Sequence, residues 1–146
     1  MKAGVDYIGV NVVFFCHDGQ GNWLLHKRSQ NCRDEQGHWD CGGGQLEFGE
    51  DIEDGLLREV AEEYGCKGVI SAELPIHNAL RQHNGKKTHW VSIGFIVQVD
   101  PSEAKLNEPH SMDEIGWFTF ANLPEPLHTS AQKRLLKHKK HFAPFL

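Results

Sequence analysis

Apolar residues in this chain come mostly in short runs separated by turn residues, and at helical spacing in only two places. YIGVNVVFF (7–15) is rich in β-branched and aromatic residues and predicts a buried strand. HDGQGN (17–22) is a turn cluster, and WLLHKR (23–28) is the returning strand of a hairpin. SQNCRDEQGH (29–38) is a polar loop leading into three consecutive glycines, Gly42, Gly43 and Gly44. KGVI (67–70) continues into SAELP, a strand that Pro75 is expected to end. HNALRQ (77–82) and THWVSIGFIVQV (88–99) flank Asn84-Gly85, a strong hairpin signal. The second of these alternates, with Trp90, Ser92, Gly94 and Ile96 on one side and Val91, Ile93, Phe95 and Val97 on the other. The small Ser92 and Gly94 leave room for a ligand. Residues 100–113 form a loop with two prolines, and EIGWFTF (114–120) is the last strand. HTSAQKRLLKHKKHF (128–142) reads as a C-terminal helix, capped by Thr129 or Ser130 and docked through Leu135 and Leu136.

The other helical stretch follows the glycines. Ile52, Leu56, Leu57, Val60 and Tyr64 form an apolar stripe, and Gly65 is a natural C-terminal cap. Glu59 and Glu63 project about 40° apart, with Glu62 about 60° to the other side of Glu59. Three carboxylates on one side of one helix repel one another, and a hard divalent cation with oxygen ligands removes that penalty. Gly55 projects on the acid side one turn earlier, where a glycine costs about 1 kcal/mol relative to alanine. Either the missing side chain leaves room for a bulky ligand, or it permits close packing against another backbone.

The 146 residues suit a single domain with a full core, and 39% hydrophobic with 24% charged residues is ordinary for a water-soluble chain. No apolar run approaches a membrane span, and Asp6 interrupts any signal-peptide layout, so cytoplasmic residence is the expectation. Cys16, Cys32, Cys41 and Cys66 are widely spaced and read as reduced thiols. A net charge of −5 argues against a nucleic-acid polymer as main partner but not against a nucleotide whose charge a metal meets. The basic run Lys133, Arg134, Lys137, Lys139 and Lys140 reads as the solvated face of a terminal helix rather than a polymer-binding surface.

The fixed positions Gly44, Glu50, Arg58, Glu59, Val60, Glu62, Glu63, Gly65 and Cys66 resemble the Nudix box, with Cys66 standing at the apolar last place. The later Glu-Ile-x-Trp-Phe leading to Leu-Pro also resembles Nudix chains. Gly42 departs from the proline common there. The resemblance implies an α/β (α+β) Nudix fold over residues 1–146, a mixed sheet sandwiched between helices. It implies Mg2+, with Mn2+ able to substitute, held by Glu59, Glu62, Glu63 and the carbonyl of Gly43. It further implies that Glu50 pairs with Arg58, so that Arg58 braces the carboxylates rather than clamping phosphate. An acidic residue of the last loop often joins the metal. Glu114 is the candidate, with Asp113 behind it, against the alternative of a solvated loop acid.

Glu59 or Glu114 would be the base. Gly43 and Gly44 allow close approach of substrate. Lys27 and Arg28, at a strand end near the glycines, either contact phosphates or are solvated charges. Trp39 either stacks on a base or packs beneath the loop. The expected activity is hydrolysis of a nucleoside diphosphate derivative, first a nucleoside triphosphate to monophosphate and pyrophosphate, as in MutT-like chains. ADP-ribose or a nucleotide sugar is the alternative. A non-catalytic nucleotide sensor and a plain interaction module are the readings of other classes. The molecule is expected to be a monomer or homodimer.

Overall fold

The computed structural model describes residues 1–146. Its centre is β1 (Gly9–His17), which has neighbours on both sides. One edge of β1 runs parallel to β6 (Lys86–Val99) over nine residue pairs, from Gly9 opposite Trp90 to His17 opposite Gln98. The other edge is shared between two antiparallel partners. Only Cys16 and His17 pair with β2 (Trp23–Arg28), while Asn11 to Phe14 pair with β4 (Gly42–Gln45). The expected hairpin is therefore real but short. Asp18 pins its turn by accepting from the backbone N–H of Gln20 and Asn22 and from the Asn22 amide. Beyond the turn β2 leaves β1 and pairs with β3 (Trp39–Asp40) and β7 (Met112–Phe118). The glycine run is thus a strand of the same sheet, paired edge to edge with β1.

β5 (Gly68–His83) forms the far edge, antiparallel to β6. Pro75 does not end it. The strand passes through with a register shift between Leu74 and His77, and an outer edge is where a residue lacking an N–H donor is tolerated. No helix is long and apolar enough to cross a membrane.

Each face of the sheet carries one core. Alternation along β1 sends Val12, Phe14 and Cys16 to one side, where they meet Leu56, Val60 and Tyr64 of α1 (Ile52–Tyr64). Ile52, expected in that stripe, is instead exposed, at the first residue of the helix. Phe15 points to the other side, with Trp23, Leu25 and Ile96, beneath α2 (Thr129–Lys137) and α3 (Lys139–Phe142). The C-terminal helix is thus broken at His138, and Leu135 and Phe142 dock it whereas Leu136 faces solvent. His128, not Thr129 or Ser130, caps α2, its Nδ1 accepting from the Ser130 N–H. The room expected above Gly94 is filled. Arg134 of α2 lies there, buried, donating to the carbonyls of Pro75 and Ser92 at 3.1 Å each.

Candidate active site

The acidic helix is fixed at both ends before its carboxylates come into play. Asp51 caps the N-terminus by accepting from the Glu53 N–H at 3.0 Å. Gly65 closes the other end with φ 65°, a left-handed turn that glycine adopts without strain, and its N–H reaches Ala61 O. Between them Val60 and Leu56 face the core, which turns Glu59 and Glu63 toward β4.

Contact with β4 is intimate. A side chain at Gly44 would overlap the Glu59 carboxylate and push it from its present place, so the glycine lets the acid lie against the strand. Gly43 N–H donates to Glu63 Oε1 at 3.2 Å. Glu63 is only 7% exposed, and its Oε2 is buried without a hydrogen-bond partner. Burial, followed by the charges of Glu108, Glu59 and Asp40, pushes its carboxyl well above the usual range, outweighing the Gly43 N–H. Glu59 is raised too, by burial first and by Glu62 and Glu108 as well, against the lowering contact with Arg58. Glu62 is half exposed, with 50% of its side chain open to solvent.

Arg58 is the one cation in contact with this group. Its guanidinium meets Glu50 at 2.7 and 2.9 Å, Glu59 at 2.9 Å and Glu62 at 3.2 Å, and also donates to Gln45 O. The fork holds Glu50 down to about 2. With every arm engaged, Arg58 braces the loop and helix and has none free for phosphate. Gly55 belongs to this brace. A Cβ there would come within 2.7 Å of Glu50 Oε1 and Leu46 Cδ1, so the gap holds side chains of the loop, neither a ligand nor a backbone.

The other sequence candidates fall elsewhere. Glu114 is exposed on β7 opposite Lys27 and is not among the charges acting on Glu59 or Glu63. Asp113 is exposed beside it. The loop acid that joins the cluster is Glu108, raised by burial and by Glu62, with its own charge acting on Glu59 and Glu63. No sequence signal marked it; its place follows from the path of the loop, where Glu108 O accepts from the Ser111 and Met112 N–H groups. Arg28 is not free for a phosphate, since it is bound to Asp34 at 2.9 Å, Asp40 at 3.3 Å and Asp34 O. Trp39 is 8% exposed and packs edge-on against Phe118, which removes it from stacking on a base.

A second polar cluster lies beside the first. Asp34, Glu35 and His128 bring ligand-type atoms together, but Arg81 and Arg28 occupy the acids. Glu35 also accepts from the Thr129 N–H and hydroxyl, and these contacts hold it down to about 2 against burial. This is a clamp between loop 29–38 and α2. Deeper in, His26 Nδ1 lies 2.7 Å from the Tyr64 hydroxyl, both buried. Burial lowers His26 to about 4, so its imidazole is neutral.

A model of the NUDIX domain matches residues 8–139, nine-tenths of the sequence. The chain belongs to the Nudix family. A Mycobacterium tuberculosis protein bearing the mutator name MutT4 is 28% identical over 97 residues, 66% of this chain and 39% of its own. An ADP-ribose pyrophosphatase of Methanocaldococcus jannaschii is 30% identical over 102 residues, 70% of this chain and 57% of its own. The Nudix chain thus spans less than two thirds of these two relatives. Among solved structures, a MutT NUDIX hydrolase from Burkholderia pseudomallei superposes with a TM-score of 0.79 at 26% identity, covering 91% of this chain and 99% of that one. The mixed sheet with its flanking helices is the Nudix fold.

The donor set fits a divalent cation. Glu59, Glu62, Glu63 and Glu108 offer oxygen donors of the kind such an ion takes, three of them raised by burial first and by one another's charge second, and Glu63 keeps a buried oxygen that no protein donor meets, although the four are not drawn into a closed ligand group in the cation-free protein.

Proposed function

We propose that this Nudix chain hydrolyses a phosphoanhydride in a nucleoside diphosphate derivative, with a nucleoside triphosphate as first substrate and nucleoside monophosphate and pyrophosphate as products. The observation that carries this reading is the unpartnered Oε2 of Glu63, buried among like charges beside the glycine strand. Glu59, Glu62 and Glu63, with the Gly43 carbonyl, hold Mg2+ or Mn2+. A cation held there would neutralise phosphate charge and lower the pKa of water. The protein's own residues do the rest. Arg58 keeps Glu59 and Glu62 aligned, the side-chain-free edge of Gly44 keeps Glu59 in place, and Glu108 accepts the proton of the attacking water. Arg28 and Arg58 are both engaged in ion pairs and leave phosphate recognition to a cation that the glutamates would hold.

A second reading, hydrolysis of ADP-ribose to AMP and ribose 5-phosphate, is favoured by the pyrophosphatase relative at 30% identity. A panel of nucleoside triphosphates, ADP-ribose and nucleotide sugars, with products resolved by phosphorus NMR, separates the two. Pyrophosphate released from triphosphates ahead of any other turnover is the expected result. Turnover confined to ADP-ribose rejects the first reading, and nucleotide binding without hydrolysis at millimolar Mg2+ rejects both in favour of a sensor.

A further inference from the structure

The last turn of α1 is tied to the sheet at two consecutive residues. Glu63 Oε1 accepts from Gly43 N–H of β4, and Tyr64 meets His26 of β2 through the 2.7 Å contact between its hydroxyl and Nδ1. β4 and β2 both lie along the same edge of β1, so the two ties grip one turn from neighbouring points of the sheet. The second tie is chemically unexpected. On the Tyr64 side its surroundings are apolar, with Phe14 edge-on to Tyr64 and Leu24, Val12 and Val60 in the same core, while His26 pairs across the sheet with Asp40. A phenylalanine against a leucine would fill such a place with no polar atom to pair, and removing both partners of a buried hydrogen bond is close to neutral for stability. Directional hydrogen bonding adds what apolar packing lacks, a fixed rotation of the turn about the helix axis. That rotation decides where the oxygens of Glu62 and Glu63 lie. It matters most for Glu63, whose carboxylate is otherwise held only through Oε1 by the Gly43 N–H.

We propose that His26 and Tyr64 are positioning residues of the metal site, their hydrogen bond setting the last turn of α1 so that Glu63 meets the cation in a preformed geometry. This rests on the reading of Glu63 as a metal-holding residue. Neither side chain touches the cation or the substrate.

The test is Mn2+ binding, followed by loss of the free-ion paramagnetic resonance signal, alongside thermal unfolding of the metal-free proteins. Wild type binds Mn2+. Tyr64→Phe binds about 10-fold more weakly, the low end of what loss of a supporting partner does to metal affinity. The double variant Tyr64→Phe/His26→Leu, which leaves no polar atom unpaired, keeps its unfolding midpoint near the wild-type value while showing the same weakened binding. His26→Gln, which retains an acceptor, recovers most of the affinity. Mn2+ affinity within about twofold of wild type in the folded double variant overturns the assignment, since non-additive loss is the mark of a shared bond. Should Tyr64→Phe fail to fold, the double variant alone decides. Absence of Mn2+ binding by wild type overturns the metal reading itself and this inference with it, whereas wild-type binding with an indifferent double variant overturns only the inference.

Discussion

Glu63 has one oxygen held by a backbone N–H and one held by nothing, and that asymmetry makes it the most informative residue of the site. Glu63→Gln removes charge while preserving shape and the Gly43 contact. Turnover should fall by at least about 10²-fold with an unfolding midpoint no lower than that of wild type, measured by product release and by calorimetry. The raised carboxyl also sets a pH dependence. Between the ordinary carboxylate pKa and the folded one, the folded metal-free protein binds more protons than the unfolded chain. Its stability therefore falls as pH rises through that window. A cation that favours the ionised form should raise the unfolding midpoint more at pH 7 than at pH 5, and an equal rise at both would contradict the assignment.

Gly44→Ala tests the neighbouring contact. The new methyl group displaces the Glu59 carboxylate, the movable end of its side chain, so Mn2+ affinity should drop while the unfolding midpoint changes little. Much of this was legible in the chain. Spacing alone put Glu59, Glu62 and Glu63 on one side of a helix, and the Glu50–Arg58 brace followed from the resemblance. Glu108 was not legible, because which acid of a proline-containing loop turns inward depends on the path of the loop. The filling of the gap at Gly55 was equally hidden, since a glycine does not declare its neighbours.

Among the elements, α2 shows how a helix can be held with few apolar contacts. Arg134 is buried in the space left by Gly94 and donates to two sheet carbonyls. Arg134→Ala opens a cavity and leaves both carbonyls unpaired, for an expected loss of about 3 kcal/mol in denaturant unfolding. Farther along, His77 on β5 and His138 at the end of α2 bring their Nε2 atoms to 2.5 Å. Burial, then Arg134, His138, Lys137 and Lys133, lower His77 to about 4. Burial, then His141, Arg134 and Lys137, lower His138. The unfolded chain binds more protons than the folded one below pH about 6.5, so this contact adds stability above that pH and loses it on acidification toward 4. Glu63 pulls the other way, so the quantity to measure is the difference between wild type and His77→Gln across pH 4 to 7. That difference should shrink as pH falls. The hydrophobic pattern found α2 itself, but not its break at His138 or its His128 cap. Both reflect partners on distant strands, and the passage of β5 through Pro75 likewise depends on that strand lying at an edge.

At the scale of the whole molecule, the sheet separates two tasks. One face carries the acidic helix, and the other is closed by the C-terminal segment, whose Phe142 is fully buried against Phe15 and Trp23. Removing residues 137–146 would therefore uncover a core and mix loss of fold with loss of charge. Replacing Lys137, Lys139 and Lys140 by Gln keeps Phe142 and asks only about charge. Nucleotide turnover should be unchanged within about twofold, in keeping with the small energetic weight of exposed charges.

The parallel pairing of β1 with β6 joins residues some eighty positions apart, such as Val10 with Val91. In a growing polypeptide the glutamate-bearing helix precedes the strand that completes the scaffold beneath it. The catalytic centre is therefore a late product of chain growth, waiting on distant contacts that cost loop entropy to form.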